Sequence, residues 1–339
     1  MSIQPILQIR KLSISFRSEK KVVPAVKNIS FDVYKGEIVG IVGESGSGKS
    51  VTSLAAMGLI PSPPGLIETG EILFEGKDLT KLNEKNMRKI RGNQISMIFQ
   101  EPMTSLNPLF SIGNQLTEAL RLHTDVTKKG ARLKAIELLK LVGIPRVEEI
   151  INEYPHQLSG GMRQRVMIAM AMVCNPRVLI ADEPTTALDV TIQAQILTLM
   201  KELNTNMNTS IIFITHDLGV VAEICDRVLV MYSGQIVEQG DVKTILKDPK
   251  HPYTKGLIKS IPDIRGKIER LYSIPGQIQS HGSSHQGCRF APRCEEAYGE
   301  CLEGVPSLYK MMKEGHNVRC FLHKKSGEVD KNDRISSSS

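Results

Sequence analysis

Gly43-Glu44-Ser45-Gly46-Ser47-Gly48-Lys49-Ser50 decides how the rest of this chain is read. The run fits G-x-x-x-x-G-K-[ST], the pattern of a phosphate-binding loop. Its flanks are the ones such a loop needs. The apolar stretch "GEIVGIVG" (36–43) reads as a strand before it. "SVTSLAAMGLI" (50–60) reads as a helix after it, stopped by Pro61, Pro63 and Pro64. Glycines let backbone N–H groups turn inward around phosphate oxygens, and the helix N-terminus adds its dipole. Lys49 is placed to reach the β- and γ-phosphates, and Ser50, followed by Val51, to offer Mg²⁺ a hydroxyl.

Outward from the loop, short strand-like runs alternate with helical patterns to about residue 245. That alternation predicts an α/β fold with a mostly parallel sheet. "NQISMIFQ" (93–100), "RVLIADE" (177–183), "SIIFITH" (210–216) and "RVLVMY" (227–232) read as strands, and "SGQIVEQG" (233–240) as part of a hairpin. Between 101 and 155 the strand signals stop. "ARLKAIELLKLVGI" (131–144) sets Leu133, Ile136, Leu139 and Leu141 near helical spacing, which predicts a helical insertion. With the helix that follows, the helical subdomain runs over about 101–175. The nucleotide domain is thus expected over 5–250, a small appendage over 251–325 and a frayed polar tail over 326–339.

Composition narrows the classes. The 339 residues are 41% hydrophobic and 23% charged, close to a globular average, so the chain is not disordered, collagen-like or a coiled coil. There is no Trp and only 4% aromatic residues, which argues against a base-stacking nucleic-acid module. The net charge of +7 is not gathered into a basic run. No apolar stretch approaches the ~20 residues of a membrane span, and Met1 to Phe16 lacks a signal-peptide core. The chain is therefore expected to stay in the cytosol, with any membrane role coming through partners.

Two further stretches carry chemistry. The apolar strand Val178-Leu179-Ile180-Ala181 ends in Asp182-Glu183. A carboxylate delivered beside phosphates is what a Mg²⁺ site needs, and the next one can act as general base on water. Leu158-Ser159-Gly160-Gly161-Met162-Arg163-Gln164 opens a helical run to about Asn175, a second anion site with free N–H groups.

"LSGGMRQ" resembles the signature of ABC ATPases. The order of phosphate loop, glutamine, signature, Asp-Glu, Asp and His is similar to that family over about residues 5–250. The resemblance implies two nucleotide domains packed head to tail, with ATP between one phosphate loop and the other chain's Ser159, Gly160, Gly161 and Gln164. It implies that Gln100 senses Mg²⁺ beside Ser50 and Asp182, and that Glu183 is the catalytic base. It places His216 at the γ-phosphate and Asp189 in the loop crossing the dimer, and lays Phe16 on adenine.

"FQEPMTSLNP" (99–108), "ADEPTTALDVTIQAQIL" (181–197), "HPYTKGL" (251–257) and "GCRFAPRC" (287–294) resemble the ATP-binding subunits of bacterial dipeptide and oligopeptide permeases. That group implies two integral membrane permease subunits, a paralogous second ATPase in a heterodimer, and an extracytoplasmic peptide-binding protein, with no nucleic acid. Nickel or metallophore import is the alternative cargo, and a soluble ABC ATPase the alternative class.

Cys288, Cys294, Cys301 and Cys320 follow C-x5-C-x6-C-x18-C. Without the tight C-x2-C pair of zinc sites, the spacing tilts toward an iron–sulfur cluster, with structural zinc and free thiols left open. The resemblance supports [4Fe–4S]. His316 and His323 read as surface residues, and Cys174 and Cys225 as small core residues.

Overall fold

The structure, a computed structural model, describes residues 4–18, 21–100, 105–186, 188–261, 272–277, 286–324 and 328–330. Most of the expected tail lies outside them. In chain order come β1 (Leu7–Ser18), β2 (Lys21–Val33), β3 (Ile38–Val42), α1 (Lys49–Ala56), β4 (Gly65–Phe74), β5 (Lys77–Asp78), α2 (Glu84–Ile90) and β6 (Ile95–Ile98). Then follow α3 (Ile112–His123), α4 (Lys128–Leu141), α5 (Val147–Ile150), α6 (Gly160–Met172), β7 (Val178–Asp182), α7 (Val190–Met207) and β8 (Ser210–Thr215). The C-terminal third holds α8 (Leu218–Ile224), β9 (Arg227–Tyr232), β10 (Gln235–Asp241), α9 (Val242–Lys247), α10 (Pro252–Lys259), α11 (Gly299–Glu303), β11 (Tyr309–Lys310), β12 (Asn317–Val318) and β13 (Glu328–Val329).

The chain forms two compact units. The first spans 34–38 and 81–214. Its strands β6, β7 and β8 run parallel, with Ile95 opposite Val178 and Val178 opposite Ser210. All of their residues are buried, as expected where a parallel sheet is covered on both faces. Between β6 and β7 the described residues are helical, as the sequence implies. Ser111, Thr127 and Ser159 start α3, α4 and α6 by accepting backbone N–H bonds, which satisfies donors the helix leaves unpaired. The buried face of α4 is Ala131, Ala135, Leu138 and Leu139. Leu133 and Leu141, expected on the apolar face, are exposed at 54% and 44%. Both sit off the 3.6-residue stripe that the small alanines define.

The second unit spans 4–33, 39–80 and 215 onward. It contains an antiparallel sheet in the order β2-β1-β4-β5, which the expectation of a mostly parallel sheet omitted. In the same unit, β3 pairs parallel with β9 and β9 turns back into β10. The appendage then adds strands to that edge, since β12 pairs with β10, and β11 with both β12 and β13. Tyr232, Tyr253 and Phe290 pack together in its core with Val42, Val230 and Val237.

Candidate functional site

Strand β3 delivers the phosphate loop and α1 receives it. Gly43 must be glycine, because a Cβ would lie 2.2 Å from the Met231 carbonyl oxygen. Gly48 caps α1 with φ 99°, in the left-handed region. Among the described residues no side chain caps α1, which leaves its first N–H groups available to a ligand of the loop. The Lys49 ammonium, almost fully buried, donates to the carbonyls of Gly43 at 2.7 Å and Glu44 at 3.1 Å, which centres its charge in the loop. The buried Ser47 hydroxyl has no partner among the described residues. Ser45 and Gly46 are exposed and Ser50 and Val51 half-buried at the start of α1. A cationic cradle with an orphan hydroxyl fits a polyphosphate, and the Ser50 hydroxyl fits its Mg²⁺.

The loop is also held from the C-terminal region. The Glu44 amide donates to the Tyr253 hydroxyl at 2.9 Å. Burial pushes the Tyr253 phenol up, so it stays protonated. Arg293 grips the Glu44 carboxylate with both terminal nitrogens, at 2.7 and 3.1 Å. Tyr253 and Arg293 lie inside "HPYTKGL" and "GCRFAPRC", yet nothing in the sequence tied them to this loop.

In the first unit, Asp182 ends β7 and is buried. Glu183 follows with φ 48°, a left-handed turn uncommon outside glycine. Its amide donates to Ile214 O at 2.9 Å, and its Oε2 accepts from Gln100 Nε2 and Thr186 Oγ1, each at 3.0 Å. Gln100 and Glu183, expected in one site, are thus brought together. Thr186 was not foreseen. The signature divides in two. Ser159 and Gly160 are exposed at the start of α6, and a Cβ on Gly160 would meet nothing within 4 Å. Gln164 is buried, and its amide donates to the Pro184 carbonyl.

Two family models match this chain, "ABC transporter" over residues 26–186 and "Oligopeptide/dipeptide transporter, C-terminal region" over 237–301. The oligopeptide transport ATP-binding protein AppD of Bacillus subtilis is 56% identical over 322 residues, 95% of this chain and 98% of AppD. OppD of the same organism is 54% identical over 94% of this chain and 88% of OppD, and its dipeptide counterpart DppD 50% over 96% and 97%. The chain belongs to the ATP-binding subunits of the oligopeptide and dipeptide ABC transporters. Among solved structures, a dimeric post-hydrolysis state of the ATP-binding cassette MJ0796 bound to ADP and Pi is similar. It has a TM-score of 0.63 and 28% identity, covering 70% of this chain and 98% of that one.

In this ABC ATPase the remaining expected site residues are spread over both units. His216 is exposed just after β8, and Phe16 is half-buried in β1 opposite Val23 and Gly65. Asp189 caps α7, accepting from the Ile192 amide at 2.9 Å. The four cysteines of the ABC subunit's appendage are neighbours. Burial first, and then the other thiols, push Cys294 up to about 11 and Cys320 up to about 12. Burial also raises Cys288, whose amide donates to Cys301 O at 2.8 Å. Among the described residues, however, no group of three or more His, Cys, Asp or Glu is placed to hold a metal ion. The Cys288–Cys294 segment itself packs through Phe290 against Tyr232 and Tyr253 and through Arg293 against Glu44. His316, expected at the surface, is buried against Glu238 at 2.8 Å. No described helix is long and apolar enough to cross a membrane.

Proposed function

We propose that this subunit hydrolyses MgATP to drive uptake of di- or oligopeptides through two integral membrane permease subunits. The observation that carries this reading is the similarity to peptide-transport ATPases over 94–96% of the chain, C-terminal region included. Relatives named for oligopeptide and dipeptide transport favour peptide over nickel or metallophore cargo. Lys49 and the loop amides bind the β- and γ-phosphates. Ser50, Gln100 and Asp182 would hold Mg²⁺, which neutralises phosphate charge when bound. Glu183 takes a proton from water as the water oxygen bonds to the γ-phosphorus. The bond from that phosphorus to the β,γ-bridging oxygen breaks, leaving ADP and phosphate. His216 contacts the γ-phosphate, Phe16 faces adenine and Asp189 faces the partner ATPase. Ser159, Gly160 and Gly161 serve the ATP of that partner, a paralogue in a heterodimer at the cytoplasmic face of the membrane. An extracytoplasmic binding protein delivers the peptide. Exposed Leu109, Phe110 and Leu122 of the helical region are suited to meeting the permease subunits.

The C-x5-C-x6-C-x18-C spacing and the proximity of the thiols support a [4Fe–4S] cluster, with structural zinc as the alternative. Iron, sulfide and zinc analysis of oxygen-free protein separates the two, and protein with none of them removes both. The transport reading is tested by assembling the chain with its membrane subunits, second ATPase and binding protein in vesicles. Uptake of a labelled tripeptide should require ATP. ATP-driven uptake of nickel but not peptide would overturn the cargo assignment, and an assembled complex with no ATP hydrolysis would overturn the activity.

A further inference from the structure

The C-terminal region reaches the phosphate loop through one short segment. Arg289 and Arg293 stand directly inside the pair Cys288 and Cys294. Arg289 donates to the Ser233 carbonyl, in the turn whose Gly234 amide donates to Ser47 O at 2.8 Å. Phe290 packs edge-on against Tyr232, centroids 5.1 Å apart. Arg293 is 4% exposed, and its Nε donates to Pro275 O at 3.0 Å, which fixes the guanidinium plane. That plane meets Glu44 bidentately, the strongest geometry available to a carboxylate.

Glu44 is the awkward residue here. It puts a negative charge on a loop meant for a polyphosphate anion, and its side chain is 31% exposed. An unpaired carboxylate at that position would repel the ligand. We propose that Arg293 is a positioning residue for nucleotide binding: it cancels the Glu44 charge and holds the carboxylate away from the cradle. The C-terminal region is thereby a working part of the ATP site in its own chain. The inference rests on the reading of Gly43 to Ser50 as that site.

The test is equilibrium MgATP binding to the full chain. Wild-type protein comes first, because failure of wild type to bind would count against the nucleotide reading itself. Arg293→Met should weaken binding by about tenfold at low salt and by less at high salt, where the exposed carboxylate is screened. Adding Glu44→Gln to Arg293→Met should return binding to the level of Glu44→Gln alone. A purely structural role for Arg293 would leave the double variant as weak as Arg293→Met, and that result would overturn the proposal. So would wild-type affinity in Arg293→Met. If Arg293→Met does not fold, Arg293→Lys carries the same test. It keeps the charge, loses the bidentate grip, and should weaken binding by about threefold. Glu44→Gln should abolish that difference, and a difference that persists sinks the idea.

Discussion

Glu44 and Glu238 in the second unit and Glu183 in the first are held by different kinds of partner. In the second unit, Glu44 is matched by a buried guanidinium. Glu238, fully buried, accepts from the amides of Lys250 at 2.7 Å and His251 at 2.9 Å and meets His316 Nε2 at 2.8 Å. In the first unit, Glu183 takes hydrogen bonds from a neutral amide and a neutral hydroxyl. Neutral donors aim a carboxylate without cancelling its charge. Glu44 and Glu238 are thus held by a cation and by amides, while Gln100 and Thr186 orient Glu183, the proposed base.

The sharpest way to break this contrast is Glu183→Gln, which keeps the shape and removes the proposed base. ATP hydrolysis should fall by at least ~100-fold while ATP affinity is kept. Phosphate release and ATP binding, measured side by side, check it. Near-normal turnover would place the base elsewhere and leave Glu183 no different in kind from Glu44.

Glu238→Gln probes the architectural side. Removing one partner of a buried pair typically costs about 3 kcal/mol, so the melting temperature should drop with ATP affinity unchanged in the folded protein. Burial alone would raise the Glu238 carboxyl, but His316 and the Lys250 and His251 amides hold it below its ordinary range. A depressed carboxyl adds stability that is present above its unfolded value of 4.5 and lost as pH falls through the folded one. His251 works in the same direction. Burial holds it at about 4 against an ordinary 6.5, and its Nδ1 accepts the Tyr253 amide. Its contribution is complete above 6.5 and fades toward 4. Wild-type melting temperature should therefore fall as pH drops from 6.5 to 4, where His251 titrates, and Glu238→Gln should keep that fall and lose only the further one below 4.5. A flat wild-type profile would show that the pair carries little of the stability.

The legible parts of this molecule were local. Gly43 to Ser50, the β7 strand with its Asp-Glu end, and the opening of α6 are contiguous runs whose chemistry depends on neighbours in sequence. Long-range pairing was not legible. The Arg293–Glu44 contact joins residues 249 apart, and no period or spacing encodes it. The β1–β2–β4 sheet was missed because its strands mix buried and exposed positions without clean alternation. Leu133 and Leu141 misled because leucine is apolar wherever it sits, while the buried stripe of α4 uses two alanines. His316 misled because its burial depends on a glutamate 78 residues earlier.

The smallest expected effect tests whether Glu183 is aimed or merely present. Its left-handed turn fixes where the side chain leaves the backbone, and two hydrogen bonds then fix the carboxylate. Gln100 donates one from before the helical region and Thr186 the other from three residues on. Thr186 is exposed, so Thr186→Val removes the hydroxyl at nearly constant volume without opening the core. Losing one neutral hydrogen bond of about 1 kcal/mol should lower kcat by roughly fivefold. KM for ATP should stay put, since on the proposed reading the phosphates are held by Lys49 and the loop. Thr186→Ser, which keeps the hydroxyl, should recover most of the rate. A rise in KM with kcat unchanged would mean that Thr186 serves nucleotide binding. Equal kcat in all three proteins would mean that the turn and Gln100 suffice to aim the base.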